Sequence, residues 1–136
     1  MTGDNRRKNI AVETKRGDES LESARILLAA KMNADAVSRA YYAAFHYARA
    51  LLLTVGQEPE THGGVHRLLH RELVRDGILD PDVAHLFSRL QKFRLDADYA
   101  AEVVFTPGGA AEEVHAAETF VNEAREILKR GQWTSP

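Results

Sequence analysis

Apolar side chains recur every three to four residues along most of the chain, the spacing of helices buried on one side. Five helical segments are predicted. The first is clearest over Leu21, Ala24, Ile26, Leu27 and Leu28 and ends near Lys31. It begins either near Asn9, where an interior Gly17 costs about 1 kcal/mol relative to alanine, or behind an Asp18 cap. The second covers about residues 35–55, with Asn33 or Asp35 as cap and Gly56 as stop. The third covers about residues 61–75 and ends at Asp76-Gly77. The fourth opens at Asp80-Pro81, a cap followed by proline at the first helical position, and turns Val83, Leu86, Phe87, Leu90 and Phe93 inward. The fifth begins near Thr106-Pro107 and carries an apolar row at Ala110, Val114, Ala117, Val121, Ala124 and Leu128. Residues 131–136 are expected to fray. No segment alternates with period two, and no repeat is present. The pattern predicts an all-α, antiparallel up-and-down bundle of four to five helices. With 136 residues it is read as a single domain, its core at about residues 9–130. The loop at residues 102–109 is the one place where a functional irregularity is expected.

The second segment is the most informative. Val37, Ala40, Tyr41, Ala44, Phe45, Ala48, Leu51 and Leu52 form one apolar stripe. Steps of about 100° per residue put Arg39, Tyr42, His46 and Arg49 in a row on the opposite side. Outer helix faces usually carry Lys, Glu and Gln. This row, flanked by small Ala43 and Ala50, suits a partner helix or a polyanion. An ordinary amphipathic helix with a few aromatic residues is the plain alternative.

Composition narrows the choices. A formal net charge of −2 argues against bulk electrostatic binding to nucleic acid or membranes, so any RNA contact needs local charge. The absence of cysteine excludes thiol catalysis, disulfides and cysteine-ligated zinc. The polar start at residues 1–8 and the lack of a long apolar run predict a cytoplasmic protein without a membrane span.

Three constellations carry candidate chemistry. Arg94 falls on the inward side of the fourth segment, where a guanidinium needs a partner, and Asp98 four residues on can supply it. The pair is a salt bridge or part of a polar site, which Tyr99 joins only at a helix end, a bend or a dimer contact. His62, His66 and His70 recur at i, i+4 and i+8. The glutamate of a zinc hydrolase helix is missing and Arg67 and Arg71 intervene, so the row is read as a histidine-arginine face meeting phosphates, with no metal and no cofactor. Arg39 and His46, seven apart, could serve metal-independent RNA cleavage, histidine as general acid or base and arginine beside the phosphorane.

The chain resembles the short single-domain HEPN proteins of prokaryotes. The resemblance rests on Ser20-Leu21-Glu22-Ser23-Ala24-Arg25, Ala40-Tyr41-Tyr42-Ala43-Ala44-Phe45-His46, Ala50-Leu51-Leu52, His62-Gly63-Gly64-Val65 and Arg94-Leu95-Asp96-Ala97-Asp98-Tyr99. It implies a helical bundle paired as a homodimer, encoded in many cases beside a minimal nucleotidyltransferase as toxin and antitoxin. HEPN ribonucleases share an Arg-x(4–6)-His motif. Here Tyr99 stands where the histidine is expected, so self-sufficient cleavage is not. The Arg94…Tyr99 form resembles the branch in which the nucleotidyltransferase adds AMP to a HEPN tyrosine, although the spacing is one residue shorter. The implied roles are Arg94, Asp98, Tyr99 and His46 at the catalytic site, Arg39, Tyr42, Arg49 and His62 toward nucleotide or RNA, and Tyr99 as AMP acceptor. A non-catalytic interaction module holding a nucleotidyltransferase, and a weak endoribonuclease using His46, are the alternatives.

Overall fold

A computed structural model describes residues 3–100 and 102–135. Five α-helices make up the fold: α1 (Gly3–Ala29), α2 (Asn33–Thr54), α3 (His62–Leu68), α4 (Pro81–Tyr99) and α5 (Pro107–Arg130). No strand occurs among the described residues. Helix α2 is the axis of the bundle, packed by α1, α4 and α5. Its predicted stripe is covered throughout, Phe45 being the most accessible member at 7%. The apolar row of α5 is likewise buried.

Helix α1 is longer than the pattern beyond Gly17 indicated, and Asp18 lies in its interior rather than at its start. Asp18 instead accepts from the Tyr47 hydroxyl at 2.6 Å and from Arg125 at 2.7 Å, tying α1 to α2 and α5. Burial and the Asp18 bond push the Tyr47 hydroxyl up to about 12. Gly17 is required by close packing. A Cβ there would lie 2.5 Å from the Tyr47 ring and 3.2 Å from the Ala43 carbonyl. Ala43 and Ala50 are both fully buried by the chain's own packing, Ala43 against Gly17 of α1. They are not open to a second subunit.

The caps of α2 also differ from expectation. Met32 occupies the N-cap without a side-chain bond, and Asn33 donates to the Phe105 carbonyl at 3.0 Å, holding the loop after α4. Gly56 stops the helix with φ +76°, a conformation glycine adopts without steric cost. The third segment starts at Thr61, whose hydroxyl caps Gly64, but does not stay α-helical. Leu69–Val74 forms a π turn, a feature frequent at functional sites. Asp80 and Thr106 cap α4 and α5 as the proline signals indicate. Arg89 clamps Glu113 through two bonds, at 3.1 and 2.5 Å, and so joins α4 to α5. Beyond α5, Trp133 folds back, its amide bonded to the Leu128 carbonyl at 2.9 Å and its ring 5.1 Å from the Arg7 guanidinium.

Candidate nucleic-acid interface

One face of α2 is built from an aromatic row, Tyr41, Tyr42 and Phe45, with guanidiniums stacked along it. Arg39 lies 4.4 Å from the Tyr42 ring centre, and Arg49 lies 5.8 Å from that of Phe45. Arg94, reaching over from α4, lies 5.2 Å from the Tyr41 ring and 5.8 Å from the Tyr42 ring. Arg39, Tyr42, His46 and Arg49 are half-buried, so the predicted row exists but is not a free outer face.

Arg94 is inward, as its spacing requires, and only 6% exposed. Its Nη1 lies 3.4 Å from Asp98, a long contact, and its Nε is buried without a partner. A guanidinium has five donors to satisfy, so this one is short of acceptors. Tyr99 does not join it. Tyr99 is the last residue of α4 and 77% exposed. Leu95, Val103 and Val104 are also exposed.

The histidines separate. His62, at the start of α3, takes a 2.6 Å hydrogen bond between its Nδ1 and the Tyr41 hydroxyl, and its ring lies 4.6 Å from that of Phe45. Burial, and then the Arg94 charge, lower the His62 pKa below its ordinary 6.5. Burial raises that of Tyr41, so the bond joins two neutral groups. His66 instead shares a 2.6 Å bond with Ser88, and burial and then His70 lower its pKa. His66 and His70 remain neighbours, with ring centres 5.0 Å apart, whereas His62 has turned to α2. No group of three or more His, Cys, Asp or Glu placed to hold a metal occurs among the described residues.

Arg39 and His46 are not brought into contact. Arg39 stacks on Tyr42, while His46 Nδ1 lies 2.8 Å from Glu13 of α1. Glu13, only 6% exposed, also meets Arg49 at 3.4 Å through its other oxygen. Sequence reasoning missed Glu13. The available signal was its place in the stripe Ile10, Glu13, Gly17, Leu21 and Ala24, a carboxylate where an apolar residue belongs. Tyr41 was read only as core, and its hydroxyl at the site is the other omission.

A sequence model of the HEPN domain family matches residues 13–132, and the chain belongs to that family. A protein of Methanocaldococcus jannaschii named "Putative toxin MJ0605" is 36% identical over 112 residues, 82% of this chain and 83% of that one. A UPF0332 protein of Thermotoga maritima is 30% identical over 115 residues, 85% and 87% of the two chains. A second M. jannaschii protein with a toxin name of the same form, MJ0142, is 29% identical over 83% of this chain and 77% of its own. No helix among the described residues is long and apolar enough to cross a membrane.

Proposed function

We propose that the protein is the toxin component of a HEPN and nucleotidyltransferase pair, acting in the cytoplasm as a homodimer that binds RNA or a nucleotide in a cleft between subunits. The observation that carries this reading is the half-buried Tyr42 of α2 with Arg39 stacked on its ring, and Arg49 half-buried two turns further along the helix. Stacked aromatic and guanidinium groups are the means by which proteins hold single-stranded nucleic acid. A chain of net charge −2 has gathered its cations locally, as such a contact demands. Arg94 meets a phosphate, and Asp98 orients it. Tyr42, Arg39, Arg49 and His62 extend the surface. The exposed Leu95, Val103 and Val104 give a second copy an apolar surface beside the cleft. The relatives' toxin names agree with this role.

Tyr99, exposed at the end of α4, is the AMP acceptor for the partner enzyme. A solvent-facing phenol can reach a second active site, and a partner's base and metal can activate it. Incubation with the neighbouring nucleotidyltransferase and ATP should add AMP to Tyr99 by mass spectrometry, while Arg39→Ala/Arg49→Ala should weaken binding of a labelled single-stranded RNA at low salt. Unmodified Tyr99 and unchanged RNA affinity would return the protein to the simpler reading, a non-catalytic module that holds its partner. A second reading, an endoribonuclease using His46, is favoured by one observation: the buried Glu13 bonded to that histidine.

A further inference from the structure

Trp133, the one tryptophan of the chain, is brought back onto the bundle by two backbone features of the tail. Gln132 adopts φ +61°, a left-handed conformation uncommon for a residue with a Cβ. Gly131 leaves room for the indole, since a Cβ there would lie 2.8 Å from Cδ1 of Trp133. The Trp133 amide then donates to the Leu128 carbonyl at 2.9 Å. Such a turn commonly closes a helix end with an apolar contact. Here the closure is incomplete. A cavity of about 540 Å³ remains between the end of α2, the turn at residues 77–78 and the end of α5, the size of a small-molecule site.

Val55, Ile78, Ile127 and Trp133 form its apolar walls, and Thr54 and Arg130 are the polar side chains of its lining. Three guanidiniums gather at this end of the bundle. Arg130 is in the lining itself, and Arg7 lies 5.1 Å from the Trp133 ring centre. Arg6 reaches to 3.1 Å from where a Cβ on Gly56 would sit, beside Val55. Arg130 meets Glu123 at 3.6 Å with its side chain 66% exposed, a pairing worth little in water and readily exchanged for a ligand. The carbonyls that end α2 and α5 are already bonded to the turns that follow, Leu52 to Gln57 and Leu128 to Trp133. Their partial charges therefore oppose an anion less than the whole charges of the arginines favour one.

We propose that this cavity binds a small aromatic anion, a ring system carrying one carboxylate or sulfonate. The ring lies against Trp133, Ile127 and Ile78, and the anionic group meets Arg130. A nucleotide fits poorly. The Thr54 hydroxyl already donates to the Leu51 carbonyl at 2.6 Å, so ribose hydroxyls and a base edge would be buried with few partners. The cavity sits at the other end of α2 from Tyr41 and Tyr42, about 20 Å away at 1.5 Å per residue. It is independent of the RNA-surface reading.

A single tryptophan makes its emission a report on this place alone. The probe is 8-anilinonaphthalene-1-sulfonate, an aromatic anion that takes up tryptophan emission at close range. Titration of the native chain should quench Trp133 and saturate at a single probe per chain. Tm should rise with the probe, as binding to the folded state requires. N-phenyl-1-naphthylamine, the same rings without the sulfonate, should bind about tenfold more weakly, the worth of one charge-assisted contact. Arg130→Gln should weaken the sulfonate by a similar factor and leave the amine unchanged. Ile78→Asp, at a position already 39% exposed, should abolish quenching by both. If that variant fails to fold, the exposed Arg130→Gln carries the test. Added 2-naphthoate should displace the sulfonate, and AMP should not. Unquenched Trp133, a Tm that falls with the probe, or a neutral analogue that binds as well as the sulfonate overturns the proposal. Displacement by AMP as readily as by 2-naphthoate overturns it in favour of a nucleotide site.

Discussion

The two sides of the last two turns of α4 invert the usual relation between polarity and exposure. Arg94 is 6% exposed and lies over two tyrosine rings, while Leu95 is 46% and Tyr99 77% exposed. The loop that follows repeats the outward pattern with Val104 at 84%. A charged group inside and, one and five residues further along the same helix, apolar and aromatic groups outside are each the less common arrangement. The inner side is held by its own chain, through Asp98, Tyr41 and Tyr42. The outer side turns Leu95, Tyr99 and Val104 toward solvent. The difference separates apolar and aromatic groups that the chain covers, such as Ala43 and Ala50 of α2, from those it leaves exposed at the tip of α4.

The sharpest way to break this comparison is to empty the inner side. Arg94→Ala should cost about 3–5 kcal/mol by urea unfolding, and Asp98→Ala, which removes a long contact at a part-exposed carboxylate, about 1 kcal/mol. Unchanged stability in both would mean that Arg94 contributes nothing to the core and is held for a ligand alone. A second, smaller effect tests the covered flank where α1 meets α2. Gly17→Ala should destabilise by about 1–3 kcal/mol, because the new Cβ drives into the Tyr47 ring. Helix propensity alone predicts a gain of about 1 kcal/mol, so the sign of the change decides between the two.

On the outer side the expected thermodynamic effect is smaller and the effect on assembly larger. Val104→Asp should alter the stability of the single chain by no more than about 0.5 kcal/mol and shift sedimentation at micromolar concentration from dimer to monomer. A dimer that survives would place the contact elsewhere on the bundle.

Much of the architecture was legible because period and punctuation agree. The α2 and α5 stripes, the Asp80-Pro81 and Thr106-Pro107 starts and the Gly56 stop each follow from local chemistry that tertiary packing does not override. Two features were not local. Gly17 reads as a helix breaker until Tyr47 and Ala43 are set against it, and that contact joins residues about thirty positions apart. Glu13 reads as a surface carboxylate until His46 and Arg49 close over it. The inward Arg94 was legible from spacing, and Tyr99 pointing away from it was too. The turn of His62 toward Tyr41 was hidden, since the regular i, i+4, i+8 row suggests one shared face and only the start of α3 beneath α2 breaks it.

The smallest expected effect tests whether His62 belongs to the inner, covered side. The pKa of His62 is lowered in the folded chain, first by burial and then by Arg94, from an ordinary 6.5 that the unfolded chain retains. Between the lowered value and 6.5 the unfolded state therefore binds more protons than the folded one, and stability rises with pH across that window. As pH falls from about 6.5, the folded state must either protonate a histidine bonded to a tyrosine hydroxyl beside a guanidinium or give up stability. His66, lowered by burial and His70, adds to the loss in the same direction. Calorimetric melting between pH 7.5 and about 5.5, above the range in which ordinary carboxylates titrate, should show Tm falling as the solution is acidified. His62→Gln should flatten part of that fall, and His62→Gln/His66→Gln most of it. A slope that both variants leave intact would place the proton uptake elsewhere and return His62 to the exposed side of the comparison, a solvated histidine at a helix start.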